Sequence, residues 1–214
     1  MMKRDDHNRL IKHAARSELK PIGCVQKGHS RTWLDDQNWW VGVVEFQPHS
    51  GAKGSFLNVG ACWLWHEKDF LSFDDSHRVE PFNEYLDSQK SGEAAQSLAK
   101  SAKDEVLNLR LKYPSIHACA AHLSTQVKKN DWVEFNSAVA AGLSGDIKLA
   151  EEQFSQILRQ ECRAAWQINL QSRAAILSAI AHDADCFKSE IIGAVRKCRT
   201  LLKLPIRESE GICS

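Results

Sequence analysis

Between Arg31 and Trp65 the chain reads RTWLDDQNWWVGVVEFQPHSGAKGSFLNVGACWLW, a stretch that holds five of its seven tryptophans. Apolar and polar residues alternate there with the period of two expected of a half-buried strand, so the N-terminal part must build a sheet. Three strand-like runs, residues 24–34, 39–47 and 55–65, are separated by DDQN and PHSGAKG, both rich in turn formers. Connections this short join antiparallel neighbours, which predicts a three-stranded meander with room for one further strand in the next segment.

A helix is expected before the sheet. Leu10, Ile11, Ala14, Ala15 and Leu19 recur at helical spacing, and Pro21 with Gly23 ends the pattern. Residues 66–92 are irregular and acidic. They read either as a loop that wraps the sheet, anchored by Phe70, Phe73 and Phe82, or as a domain boundary. From Glu93 onward the pattern is helical, with helices expected at 93–112, 115–128, 131–143, 146–162, 164–181 and 184–203. Pro114 sits near the start of the second, Asn130 or Asp131 caps the third, and Gly145 separates the third from the fourth. The expected fold is α+β: an N-terminal helix and an antiparallel meander, then an all-helical C-terminal half arranged as a bundle. The expected division is a sheet domain over 1–92 and a helical bundle over 93–207, packed as one unit, with a flexible tail at 208–214.

Within AAGLSGDIKLAEEQF, Gly145, Ala150 and Phe154 fall at the spacing of a tetratricopeptide-like hairpin, and the likeness spans residues 132–162. The first-helix Trp and Gly and the closing Pro of that family are absent, and no second copy follows at a 34-residue period. A solenoid needs stacked copies to bury its faces, so one copy reads as an ordinary helical hairpin.

Charge and composition exclude several classes. The net charge of +1 is spread along the chain, so no global field draws in nucleic acid or an anionic membrane. No apolar run reaches the roughly 18 residues of a spanning helix, and the N-terminus lacks the apolar core of a secretory signal. Seven cysteines without CxxC spacing point to reduced thiols and a cytoplasmic address. No phosphate-cradling, nucleophile-elbow or zinc-helix motif occurs, so no cofactor is expected. His117, Cys119 and His122 diverge around a helix. His182 and Cys186 share a face but supply only two ligands, so no metal site is assigned. The five basic residues of RKCRTLLKLPIR suit the C-terminal end of a helix dipole or an acidic stretch of the same chain.

One group of polar residues stands out. Pairing across PHSGAKG puts Trp40, Val44, Phe46, Leu57, Val59, Ala61, Trp63 and Trp65 on a core face. Glu45, Gln47, Phe56 and Asn58 fall on the other, with His49 at its loop edge. Setting Leu34 opposite Trp40 keeps Lys27, His29 and Arg31 out of the core and places them beside Glu45, Gln47 and Asn58. An ordinary solvated sheet face explains this grouping too.

Lys27, Gly28 and Arg31, then Glu45, Phe46 and Gln47, then the run Phe56 to Gly60, resemble the N-terminal part of the uncharacterised bacterial family known as domain of unknown function 4304. The likeness covers roughly residues 10–66. It implies a bacterial cytoplasmic α+β protein, and some small proteins of that general kind act as immunity or defence proteins that occlude a partner. The expected function is therefore non-enzymatic protein binding through Lys27, His29, Arg31, Glu45, Gln47, His49 and Asn58. The alternative is an enzyme in which Glu45 and His29 do acid–base work in a pocket beneath the helical half.

Overall fold

The fold is described from a computed structural model covering residues 4–49, 51, 54–84, 88–126 and 130–207. Its elements run α1 (Arg4–Leu19), a 3-10 turn (Lys20–Ile22), β1 (Val25–Gln26), β2 (Thr32–Asp36), β3 (Trp40–Pro48), β4 (Gly54–Trp63), β5 (Asp75–Glu84), α2 (Ser88–Lys112), α3 (Ile116–Ser124), α4 (Asp131–Ser144), α5 (Ile147–Leu158), α6 (Ala165–Ile180) and α7 (Ala184–Leu201). The chain is α+β, as the pattern of periods predicts.

The sheet has five antiparallel strands in sequential order. The first strand-like run differs from the sequence expectation. The first run is a hairpin, not one strand: β1 pairs with β2, and the Lys27 N–H donates to the Thr32 carbonyl to close the turn between them. The further strand for which residues 66–92 left room is β5, paired along β4 with a bulge between Ser55 and Leu57 that breaks the alternation. Of the expected anchors, Phe70 and Phe73 are exposed.

The chain forms two compact units, residues 1–62 with 71–111, and residues 63–70 with 112–214. The long helix α2 thus belongs with the sheet, while the segment carrying Trp63 and Trp65 belongs with the later helices. The tail at 208–214 lies outside the described residues.

In the first unit the buried stripe of α1 is His7, Ile11, Ala14, Ala15 and Leu19, and that of α2 is Ser91, Ala95, Leu98, Ala99, Ala102, Val106 and Leu109. Both helices lie on one side of the sheet. Asn8 of α1 accepts from Arg31 at 2.6 Å, and Arg110 of α2 donates to both carboxylate oxygens of Asp35, at 2.6 and 3.0 Å. The Asp35 side chain is 3 % exposed. This bidentate bond raises Arg110 above its ordinary pKa. Burial, with Asp35 adding to it, pushes the Cys24 thiol up to about 12.

In the second unit the helix ends are closed locally. Ser115 accepts from the Ala118 N–H, Asn130 from Val133, Asp146 from Leu149 and Asp183 from Cys186. Gly145 ends α4 at φ 88°, a left-handed conformation suited to glycine. Phe135, Phe154 and Phe187 form a buried row with ring centroids 6.2 and 6.4 Å apart. Gly142 lets that row close up, since a Cβ there would stand 2.7 Å from the Phe187 ring. Ala150, one helical turn before the row's central residue Phe154, is fully buried, which fits a packed α4–α5 hairpin. Lys197 of the basic C-terminal segment pairs with Glu67 at 2.5 Å, and Arg199 folds back on the Pro205 carbonyl.

Candidate functional site

The register of β2 on β3 decides which residues share a surface. Thr32 lies opposite Glu45 and Leu34 opposite Val43, not Trp40. A displacement of three residues is odd, so it turns every β2 side chain to the face opposite the one expected. The cause is the turn. Gln37 donates its N–H to the Trp40 carbonyl, which leaves a two-residue loop of Asn38 and Trp39, and Asn38 takes the left-handed φ of 73° that such loops demand. The Asp36 carboxylate accepts the Asn38 N–H at 3.0 Å and fixes that conformation.

The expected association of Arg31 with Glu45 and Asn58 is therefore corrected. The Phe46 N–H donates to the Arg31 carbonyl, placing Arg31 opposite a core residue. Its guanidinium points to the helix-covered side, donating to Asn8 and, at 3.0 Å, to the buried Ser55 hydroxyl. These bonds offset the desolvation that made this register unattractive from sequence, and Asp35 is compensated in the same way by Arg110. Lys27 and His29 sit in the exposed hairpin turn, not on a strand. The pairing of His29 with Glu45 is replaced by one between Glu45 and Asn58.

Glu45, Gln47, His49 and Asn58 do come together on the other side of the sheet. The Asn58 amide donates to Glu45 Oε2 at 3.1 Å and to Gln47 Oε1 at 3.0 Å. Two partners join them from β5: Arg78, which the sequence did not show, and Phe82, expected only as an anchor of its segment on the sheet. Arg78 donates to the Asn58 Oδ1 at 3.1 Å and to Gln47 Oε1 at 3.0 Å, and its guanidinium carbon stands 4.1 Å from the centre of the Phe56 ring. Phe82 lies 4.8 Å from Phe56 and 5.3 Å from His49, and His49 lies 5.6 Å from Phe56. The site is thus a three-ring cluster beside a closed Glu–Asn–Gln–Arg network. Every member is partly or fully open to solvent.

The opposite end of the same face is closed. Val41, Val43 and Cys62 are buried, the Asp74 N–H donates to the Ala61 carbonyl, and Ser72 Oγ stands 3.4 Å from Cys62 Sγ. Segment 71–74 covers this end and leaves the polar and aromatic end open.

Gly60 holds β5 in reach of the network. Its Cβ, if present, would stand 2.3 Å from Ser76 Cβ and 2.8 Å from the Asp75 carbonyl oxygen. Backbone cannot yield as a flexible side chain does, so Gly60→Ala is expected to push β5 away, costing about 2 kcal/mol and opening the Arg78 bonds. Hydrogen exchange of the β5 amides in this variant checks it; unchanged protection would contradict the close approach.

Among the described residues no three His, Cys, Asp or Glu side chains gather closely enough to hold a metal, and no helix is long and apolar enough to cross a membrane. No family model, curated protein or solved structure matches the chain.

Proposed function

We propose that the chain is a non-enzymatic protein-binding module whose contact surface is the open end of the sheet: His49, Phe56 and Phe82 with Arg78, Gln47, Asn58 and Glu45. One observation carries the reading. The cation of Arg78 is held over Phe56 by hydrogen bonds to two amides, so an aromatic and arginine cluster is fixed in place before any partner arrives. Aromatic residues and arginine dominate binding energy at interfaces, and pre-ordering them lowers the entropy lost on association. The amides and Glu45 form a polar margin suited to a partner bearing acidic or amide groups.

The likeness of residues 10–66 to domain of unknown function 4304 supports a bacterial, cytoplasmic setting for this role, and within it an immunity-like protein that occludes its partner. The six described cysteines are thiols, compatible with a reducing compartment. Affinity capture from the native host, with the wild type beside an Arg78→Ala, Phe82→Ala double variant, tests the reading. Both side chains are accessible, so the variant keeps its fold. A partner held by the wild type and depleted at least about tenfold in the variant, the loss of a hot-spot contact, is expected. Identical partner lists would sink the assignment of this face.

A further inference from the structure

Helix α6 has an anomaly on its outer side. Arg173 is its only charged residue, and that side chain is taken up in an ion pair with Glu190 of α7. Leu170, Ala174 and Leu177 face the core of the unit. The opposite side carries Ala165, Ile168, Asn169, Ser172, Ala175, Ile176 and Ala179, with Ile168 56 % and Ile176 52 % exposed. Surface helices ordinarily place charge there. Trp166, 46 % exposed and stacked on Trp132 with centroids 6.0 Å apart, lies on the Leu170 side at the start of the helix, away from this face.

We propose that this face is the two-fold interface of a homodimer in which α6 packs antiparallel on α6 of a second copy. Ala165, Ile168, Ser172, Ala175 and Ala179 recur at alternating steps of three and four, the seam along which two helices pack side by side. The exposed face as a whole, Asn169 included, is also palindromic about Ser172. A two-fold axis at that residue layers Ala165 with Ala179 of the partner subunit, Ile168 with Ile176 of the partner subunit, Asn169 with Ala175 of the partner subunit, and Ser172 with its own copy. An isologous contact requires such self-complementarity, and a face without charge meets its copy without like-charge repulsion.

Two 16-residue helices, each about 24 Å long, bury on the order of 1,000 Å² in total when packed along their length, the lower bound for a specific interface. The dimer is accordingly a weak one, assembling in the micromolar range.

Analytical ultracentrifugation of the full chain tests this. A mass rising from one chain near about 1 µM toward two chains near about 200 µM is expected, from the modest interface area. The Ile168→Asp, Ile176→Asp double variant should stay at one chain throughout; both positions are exposed, and circular dichroism confirms that the variant is folded. Ser172→Cys should form a covalent dimer under mild oxidation well above the level of the parent chain, whose exposed Cys186 supplies the background. A wild type monomeric at the highest concentration, a dimer of equal strength in the aspartate variant, or no excess crosslinking of Ser172→Cys would each overturn the proposal.

Discussion

Arg110→Ala is expected to lower the stability of the sheet unit by about 3 to 5 kcal/mol, the range for removing one partner of a buried ion pair. The Asp35 side chain is only 3 % exposed and receives both of the Arg110 bonds that hold α2 to the sheet. Truncation leaves that carboxylate buried, with Gln37 as a neutral donor at 3.0 and 3.1 Å. Arg110 also donates to the Ile22 carbonyl at 2.6 Å, so the variant loosens the chain after α1 as well. An Asp35→Leu, Arg110→Met double variant should recover most of the loss, because the expense lies in the orphaned charge, not in the absence of the pair. The slowest-exchanging amides of β2 and β3 report the effect within this unit. A loss below about 1 kcal/mol would identify the pair as an ordinary solvated one.

Trp65→Ala is expected to cost the helical unit a similar amount, about 4 kcal/mol, from lost apolar burial and the cavity left behind. Trp65 is fully buried, stacks on Trp63 with centroids 5.0 Å apart, and donates its indole N–H to Asn136 Oδ1 at 2.8 Å. The Asn136 residue is 4 % exposed, so the lost donor leaves its carbonyl in a nearly dry site. Trp65→Phe separates the two contributions. It keeps most of the ring volume and removes the hydrogen bond, and is expected to cost about 1 to 3 kcal/mol. Exchange of the slowest α4 and α5 amides measures both. Equal, small effects would mean that Trp65 is not part of that core.

The helical half was largely legible in the sequence because helix signals are local. Asn130 caps α4 and Gly145 ends it where turn chemistry says they should, and the predicted spans of α4 to α7 lie within a few residues of those observed. The sheet was legible in kind but not in register. Parity across a hairpin depends on whether its loop is odd or even, and four residues of turn composition, DDQN, do not reveal which two the loop uses. Here Asn38 adopts a left-handed φ and takes Trp39 into the turn with it, which reversed Arg31 and Trp33 together. The polar bonds that make this register affordable, from Arg31 to Asn8 and from Asp35 to Arg110, span 23 and 75 positions and leave no local trace.

The candidate site was half legible for the same reason. Glu45, Gln47 and Asn58 lie on β3 and β4, whose relative parity was read correctly from alternation across PHSGAKG. Arg78 was not found, because the bulge between Ser55 and Leu57 breaks the period that would have exposed β5. The sequence of β5 mixes His77 and Arg78 with Val79, and only the pairing of Arg78 opposite Asn58 shows which of them reaches the network.

The claim that the open end of the sheet meets another protein is tested most directly by placing a photoreactive aromatic residue at Phe82 and, separately, at the 79 % exposed Leu111 of α2, then irradiating each variant in the native host. The account predicts one discrete protein adduct from position 82 and none from position 111. Equal adducts from both positions, or an adduct from position 111 alone, would contradict it.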